Sequence, residues 1–150
     1  AYLSRAHGEP PDGTDMVAGF VPDFRGVAGF LAERRRPGEQ LAVTDWLSAA
    51  CYFPPVDGWI RYGNWGNQSV MVDGVPRDGY LHAEVLSGVD ALQSFVTRGP
   101  TWVVAGGGEW DDEVKLDEAT RLWLEQHEPV FEAADGVTRV YRFEAAAPAK

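Results

Sequence analysis

Apolar residues recur at helical spacing in the first part of the chain that shows a regular pattern. From Phe24 to Leu31 they fall at intervals of three and four residues, and Asp23 just before them is a good helix N-cap. The helix is expected to end in the three arginines 34–36, before a turn at Pro37-Gly38. Positive charge is favourable at the C-terminal end of a helix dipole, and we prefer this interpretation of the arginines to a phosphate-binding patch.

Short apolar runs predict the strands of a sheet. Residues 41–44 fit a buried strand, and residues 59–62 alternate as a second strand would. Residues 101–105 are apolar on both faces, as expected of a central strand that is covered on both sides. Residues 70–72, followed by Asp73-Gly74, predict the first strand and the turn of a hairpin.

Two further helices are predicted in the second half of the chain. Ser87 is expected to cap the second helix, which ends before Gly99. The third helix follows acidic residues 111–113, which suit a helix N-terminus, and runs to about His127. Its apolar face is expected to consist of Leu116, Ala119, Leu122 and Trp123.

The end of the chain predicts an antiparallel edge hairpin, because residues 130–143 alternate on either side of a turn at Asp135-Gly136. Helices that alternate with strands indicate the α/β class. We predict a three-layer domain with a mostly parallel sheet flanked by helices and this hairpin at its C-terminus. The expected organisation is a lead-in segment at 1–20, a single α/β domain at 21–144 and a flexible tail at 145–150.

Composition supports a folded domain and argues against an anionic partner. The 150 residues are 45% hydrophobic and 12% aromatic, which is typical of a globular protein of one domain. The chain has 23 acidic and 13 basic residues, so its formal net charge is −10. A field of that sign repels phosphate backbones, and we therefore expect no nucleic-acid partner.

The residues that usually carry catalysis or bind metals are few and scattered. Cys51 is the only cysteine, and the histidines at 7, 82 and 127 are far apart in sequence. No P-loop and no serine nucleophile elbow occurs. The triple glycine 106–108 is interpreted as a flexible turn, because the acidic residues after it would repel phosphate. We predict no catalytic residue, no metal and no cofactor.

A ligand site is predicted at the carboxyl ends of three strands, where ligands of open parallel sheets bind. Aromatic rings, an asparagine and carboxylates follow these strands, and such groups suit stacking on sugar rings and hydrogen bonds to hydroxyls. The candidate residues are Asp45, Trp46, Tyr62, Asn64, Trp65, Glu109 and Trp110. The alternative is that the tryptophan side chains cap the hydrophobic core.

Carboxylates between Glu109 and Glu113 allow a different hypothesis. General acid-base catalysis and sites for hard metal ions both need two or more carboxylates within a few ångströms of each other. Glu109 and Asp111 would then make the chain an independent hydrolase. We favour helix capping and solvation for these residues, because adjacent positions on a loop seldom converge on one point.

The ends of the chain indicate a piece of a longer protein. No stretch approaches the roughly 18 apolar residues of a membrane span, and no signal-peptide pattern occurs at the N-terminus, so the isolated chain is expected to be soluble. The chain starts at Ala1 without a methionine and closes on a run of small residues at 145–149. We expect any anchoring or targeting segment to lie outside it.

Two segments of the chain resemble a known family. Residues 22–31 and 36–43 read as a polar start, a helix, a Pro-Gly-acidic turn and a strand. This order resembles C-terminal parts of polyprenyl-phosphate-dependent membrane glycosyltransferases, a family that includes dolichyl-phosphate-mannose protein mannosyltransferase-like and aminoarabinose-transferase-like enzymes. Similar segments follow at 101–104, 122–124 and 140–143.

The resemblance covers about residues 21–144, with two departures. Glu39 stands where the family pattern often has Asp, and the Trp-, Gly- and Asn-rich middle at 57–80 has no family counterpart. The resemblance implies a domain on the extracytoplasmic face of the membrane, whose partner is the membrane-embedded remainder of the same polypeptide. The catalytic acidic residue and the metal-associated loops of such enzymes belong to that remainder.

The function expected from the resemblance is that of a non-catalytic domain of a membrane-bound glycosyltransferase. Such a domain would lie over the mouth of the active site and help to bind the acceptor glycan or the sugar. The alternative is a free-standing α/β module that binds a carbohydrate or another small molecule through the aromatic residues at the strand ends. The independent hydrolase is the third hypothesis.

Overall fold

The computed structural model describes residues 23–45, 51–53, 55–62, 69–79, 81–106 and 116–145. The predicted lead-in segment 1–20 and all but Ala145 of the predicted tail lie outside these ranges. The helices whose full extent is described are α1 (Phe24–Arg34), α2 (Val89–Thr97) and α3 (Glu118–Glu125). The strands are β1 (Gln40–Val43), β2 (Gly58–Ile60), β3 (Ser69–Val72), β4 (Val75–Asp78), β5 (Glu84–Leu86), β6 (Thr101–Ala105), β7 (Phe131–Glu132) and β8 (Arg139–Phe143).

The eight strands form one mixed sheet in the order β3-β4-β5-β2-β1-β6-β8-β7. The α/β class is confirmed, but the prediction of a mostly parallel sheet is wrong, because four of the seven strand pairings are antiparallel. The central strands β5, β2, β1 and β6 are parallel. On one side, the short connections between β3, β4 and β5 leave no room for a crossover helix, so these strands form hairpins. On the other side, α3 connects β6 to β7, and β8 then turns back as a hairpin and pairs between them. The predicted C-terminal hairpin is one of these, with β7 at the edge of the sheet.

Helix α1 forms as its sequence pattern predicts. Asp23 is its N-cap, and one oxygen of its side chain accepts a hydrogen bond from the Gly26 amide at 3.0 Å. The helix buries three apolar side chains that recur at helical spacing, Phe24, Val27 and Leu31. They belong to a hydrophobic cluster that includes the strand residues Leu41, Val43, Trp102, Val104 and Val140.

A second hydrophobic cluster takes the alternate residues of the same strands. It includes Ala42 of β1, Val103 of β6 and Tyr141 of β8. Because successive side chains of a strand point to opposite faces, the two clusters lie on opposite sides of the sheet. The second cluster contains buried side chains of α2 and α3, namely Leu92, Phe95, Val96 and Leu124.

The second and third helices differ from their predictions. Gly88, not Ser87, occupies the N-cap position of α2, and the Ser87 hydroxyl instead donates to the Arg61 carbonyl at 3.0 Å. Helix α3 begins at Glu118, later than predicted, and buries Thr120 and Leu124. Leu122, predicted on the apolar face, is 46% exposed. Because α3 starts later than predicted, different residues face the sheet. The acidic residues 111–113 lie outside the described residues.

The turn between β7 and β8 is held to the start of α1 by one carboxylate. Asp135 accepts hydrogen bonds from the amides of Val137, Thr138 and Asp23, and from the Thr138 hydroxyl. Burial by itself would raise the pKa of Asp135, but the Thr138 hydroxyl and the amides of Thr138, Asp23 and Val137 outweigh it and lower the pKa. The ionised carboxylate therefore stabilises the fold.

Replacing Asp135 by Ala is expected to lower the free energy of unfolding at pH 7 by about 2 kcal/mol, because several donors lose their acceptor. The folded pKa is depressed, so this contribution is complete above the unfolded value of about 4 and is lost as the pH falls through the folded pKa. Urea unfolding of both proteins at a series of pH values measures this. A difference that does not shrink at acidic pH would contradict the assignment.

Candidate functional site

The order of the parallel strands produces a topological switch point at the carboxyl ends of β1 and β6. Along the chain the parallel strands follow as β1, β2, β5 and β6, but β6 lies on the opposite side of β1 from β2 and β5. The connection after β1 packs in the α1 cluster through Phe53 and Val56, whereas α3, which follows β6, packs in the other cluster through Leu124. The two connections therefore leave β1 and β6 toward opposite faces. Ligands of open α/β sheets bind at such a switch point, outside the carboxyl ends of the strands.

We name this edge the carboxyl edge; its described residues are Thr44, Asp45, Arg61, Tyr62, Ser87 and Gly106. Buried Thr44 connects the ends of β1, β2 and β6. Its carbonyl oxygen accepts a hydrogen bond from the Trp59 indole at 3.3 Å, and its hydroxyl accepts one from the Gly106 amide at 3.4 Å. The Thr44 amide donates to the Val104 carbonyl at 3.1 Å. These bonds hold the ends of the three neighbouring strands together.

Gly106 is the first residue after β6, and only glycine fits there. Its φ is 146°, a backbone conformation that other residues rarely adopt. A Cβ atom at this position would lie 2.5 Å from Thr138 Cα and 2.6 Å from the Val137 carbonyl oxygen. The backbone of β6 thus leaves the sheet in close contact with the segment before β8. The other two residues of the predicted glycine turn lie outside the described residues.

Two of the predicted ligand-binding residues can be placed. Strands β1, β2 and β6 are neighbours and parallel, so Asp45 after β1 and Tyr62 after β2 lie at the same edge, as predicted. Asp45 is partly buried, and Tyr62 is 49% exposed. The other five predicted residues lie outside the described residues, namely Trp46, Asn64, Trp65, Glu109 and Trp110. A ligand-binding role for these seven residues stays a prediction.

The structure adds Arg61, which the sequence reasoning did not select. Arg61 is only 8% exposed, and its guanidinium carbon lies 5.2 Å from the centroid of a Trp59 ring. Its amide donates to the Leu86 carbonyl at 3.0 Å, which ties the end of β2 to the end of β5. Buried arginines are uncommon because desolvation of the charge is costly, so the position of Arg61 at the end of β2 is unusual. The feature of the sequence that could have singled out Arg61 is the presence of an arginine within an apolar strand pattern.

The described residues of the carboxyl edge combine groups that are suited to binding. A carboxylate, an exposed aromatic ring and a buried guanidinium follow two adjacent strands, at Asp45, Tyr62 and Arg61. Within the described ranges, no three His, Cys, Asp or Glu side chains are grouped so that they could hold a metal ion. What the described residues can do is bind a polar ring-shaped molecule, through stacking and hydrogen bonds.

Two grooves lie away from this edge, on either side of Arg35. One has a volume of about 250 Å³ and is lined by α1 with Tyr52 and Phe53; the other, about 420 Å³, lies against residues 35–38 and Pro55. The Arg35 guanidinium donates to the carbonyls of Glu39 and Pro55 and pairs with Asp57. Arg35 is therefore already engaged by the protein, which favours a structural role over phosphate binding. Neither groove contains a predicted site residue.

Glu39, the acidic residue of the Pro-Gly-acidic turn, also has a structural role. Its carboxylate accepts hydrogen bonds from the Trp102 indole at 2.7 Å and the Arg36 amide at 3.0 Å, and it pairs with Arg142 at 3.0 Å. Burial opposes ionisation of Glu39, but the Arg36 amide, the Trp102 indole and the nearby positive charge of Arg142 outweigh it and lower the pKa. Glu39 thus joins the turn before β1 to β6 and β8.

Two further findings concern the described helices and the similarity of the chain to known proteins. No helix in the described ranges has the length and apolar content that crossing a bilayer requires. Comparison of the chain with family models, curated proteins and solved structures finds no match. The likeness to membrane glycosyltransferases therefore remains an expectation from the sequence segments alone.

Proposed function

We propose that the chain is a non-catalytic, extracytoplasmic domain of a membrane-bound glycosyltransferase, and that it binds a sugar or the acceptor glycan at its carboxyl edge. The membrane-embedded remainder of the same polypeptide is the partner that this proposal requires. The resemblance over residues 21–144 supports the parentage. The described residues support the binding role.

The binding role rests on one observation. Asp45, Arg61 and Tyr62 follow two adjacent parallel strands, beside the point where the connections after β1 and β6 separate toward opposite faces. In open α/β sheets this is the place where a ligand finds space between the loops. The chemistry of these side chains suits a sugar as the ligand.

A sugar offers an apolar ring face and a rim of hydroxyl groups. Tyr62 is 49% exposed, and its aromatic ring can stack on the face of a sugar ring, while the Asp45 carboxylate can accept hydrogen bonds from hydroxyls. A phosphorylated ligand fits less well, because the net charge of −10 repels anions. The proposal is therefore a neutral, polyhydroxylated ligand.

We further propose that the domain is layered, with helices on both faces of the sheet. The alternation of strand side chains between the two hydrophobic clusters supports α1 on one face and α2 and α3 on the other. In that arrangement the helices cover both faces of the parallel strands and leave the ends of these strands accessible. The carboxyl edge would then be the part of the domain that is open to a ligand.

A titration tests the binding role. Neutral mono- and oligosaccharides are added to the 150-residue chain while tryptophan fluorescence is recorded, and saturable binding by some of them is expected. Tyr62→Ala and Asp45→Asn are each expected to weaken binding about tenfold, which corresponds to about 1.4 kcal/mol. Tyr52→Ala is the matched control, because Tyr52 is 43% exposed but lines the groove beside α1.

Two results would contradict the binding role. One is the absence of any fluorescence change across a broad panel of sugars, and the other is an equal loss of sugar affinity in Tyr52→Ala and Tyr62→Ala. The parentage has its own test in the coding sequence upstream of Ala1. A series of membrane spans is expected there, and an upstream sequence without hydrophobic segments would rule it out. Sugar binding without such spans would favour the free-standing carbohydrate-binding module.

A further inference from the structure

Ser87 lies at the carboxyl edge, beside the end of β2. It follows β5, which pairs with β2 in parallel orientation, with Ile60 opposite Leu86. The Arg61 amide donates to the Leu86 carbonyl at 3.0 Å, so the pairing continues one residue beyond the two strands. Ser87 is exposed, and its neighbour across this pairing is Arg61, the residue directly before Tyr62. Ser87 is therefore adjacent to the segment that carries the aromatic ring of the proposed sugar site.

The hydroxyl hydrogen of Ser87 already has an acceptor. Its Oγ lies 3.0 Å from the Arg61 carbonyl oxygen. A carbonyl oxygen can only accept, so the hydroxyl is the donor of this bond. A hydroxyl has one hydrogen and two lone pairs, and no other group in the described part of the chain is bonded to Ser87 Oγ. Toward a ligand, Ser87 can therefore only accept a hydrogen bond.

The space beside Ser87 is open at the next residue, Gly88. Gly88 occupies the N-cap position of α2 with a φ of 91°, so it has no side chain that could cover the Ser87 hydroxyl. A Cβ atom built on Gly88 would meet no atom of the described residues within 4 Å. The described residues thus leave room for a ligand group next to Ser87.

Asp45 is an acceptor on the other side of Tyr62. The strand order is β5-β2-β1, so Tyr62 follows the middle strand, and Ser87 and Asp45 follow the two outer ones. Neighbouring strands lie about 4.8 Å apart, so the ends of β5 and β1 are separated by about 10 Å. One sugar ring with a hydrogen bond on each side can span such a gap. An ionised carboxylate only accepts, so donors are needed from the ligand on both sides.

We infer that Ser87 contacts the sugar at the carboxyl edge and selects a ligand with an unsubstituted hydroxyl at the point of contact. This role of Ser87 rests on the proposed sugar binding and names the class of sugar. The ligand has two unsubstituted hydroxyls on opposite sides of one ring. One donates to Ser87 and the other to Asp45, while the ring lies against Tyr62. A sugar without the first hydroxyl leaves Oγ of Ser87 without its donor and binds more weakly.

Amide NMR titrations of the labelled chain with D-glucose, D-galactose and D-mannose test this role. For each of these sugars that binds, the monodeoxy and monodeoxyfluoro analogues at every hydroxyl position are titrated as well. At the position that faces Ser87, both analogues should bind about five- to tenfold more weakly than the parent sugar, because neither a C–H group nor fluorine replaces the O–H donor.

Substitution of Ser87 should remove the discrimination at that position. In Ser87→Ala, the parent sugar and its two analogues should bind with equal affinity, within about twofold. Ser87→Thr retains a hydroxyl and should retain the discrimination. Ser94→Ala is the matched control, because Ser94 is exposed on α2, and it should change neither the affinity nor the discrimination.

The role of Ser87 would be overturned by any of three results. If the deoxyfluoro analogues bound as well as the parent wherever the deoxy analogues bind weakly, the sugar hydroxyls would be acceptors and not donors. If Ser87→Ala weakened the parent and all analogues equally, Ser87 would act only by holding Tyr62 in place. Binding of other sugars but none of these three hexoses would overturn the ligand class and leave the proposed function intact. Absence of binding by any sugar would contradict both.

Discussion

Gly106→Ala will lower the free energy of unfolding by about 3 kcal/mol or more. The added Cβ would lie 2.5 Å from Thr138 Cα and 3.0 Å from the Thr138 amide nitrogen, and both are backbone atoms that cannot rotate away. The φ of 146° adds strain for any residue with a side chain. Overpacking and backbone strain each cost about 1 to 3 kcal/mol, so together they make this one of the largest single-residue effects. Chemical denaturation measures the change.

Gly29→Ala is the control for Gly106. Gly29 lies within α1, and a Cβ there would meet no atom within 4 Å. Alanine is a better helix former than glycine by about 1 kcal/mol, so this variant should be more stable than the unmodified protein. If Gly106→Ala were as stable as the unmodified chain, the close approach of the β6 end to Thr138 would be wrong.

Trp59→Ala is expected to have the second large effect, a loss of about 3 to 5 kcal/mol in the free energy of unfolding. Trp59 is 1% exposed, so truncation leaves a large cavity beside the parallel strands. It also removes the indole that donates to the Thr44 carbonyl at 3.3 Å. The end of β1 then loses one of the contacts that fix the carboxyl edge.

Trp59→Phe separates the two contributions. Phenylalanine keeps much of the buried volume but cannot donate to the Thr44 carbonyl, so a smaller loss of about 1 to 3 kcal/mol is expected. Leu122→Ala should change the stability by less than about 0.5 kcal/mol, because Leu122 is 46% exposed. A loss in Trp59→Ala no greater than that in Leu122→Ala would show that Trp59 is not buried.

Elements specified by local pattern could be predicted from the sequence. Helix α1 has its cap, its apolar face and its terminal arginine within a dozen consecutive residues, and all three occur as expected. Strand β6 was predicted as central and covered, and its five residues are buried. In both cases the information lies in residues that are close along the chain, so tertiary contacts did not need to be known.

Features that depend on distant residues could not be predicted in the same way. Which face of α3 is buried depends on where the helix begins and on its packing against the sheet, so Leu122 was wrongly placed. Strand β5 has only three residues, too few for a recognisable period, and its place beside β2 depends on pairing across the chain. The direction of the outer strands depends on how they pair with strands that are distant in the chain. The sheet was wrongly expected to be mostly parallel because these pairings could not be read from local patterns.

The adjacency of the strand ends could be predicted from the sequence, but the burial of the side chains there could not. Alternating helices and strands indicated that the ends of β1, β2 and β6 would meet, and these strands are adjacent. The burial of Arg61 beside Trp59 needed the folded arrangement, because an arginine in a strand is usually a solvated residue. The network around Glu39 also joins distant residues, since Arg142 lies 103 positions further along the chain.

Binding of a neutral sugar at the carboxyl edge can be observed residue by residue, by backbone amide NMR of the labelled chain during a sugar titration. We expect saturable shift changes at the amides of Asp45, Tyr62 and Ser87, whereas the amides of Arg36 and Glu39, before the start of β1, should remain unchanged. Shift changes confined to Arg36 and Glu39, or no saturable change with any sugar, would contradict it.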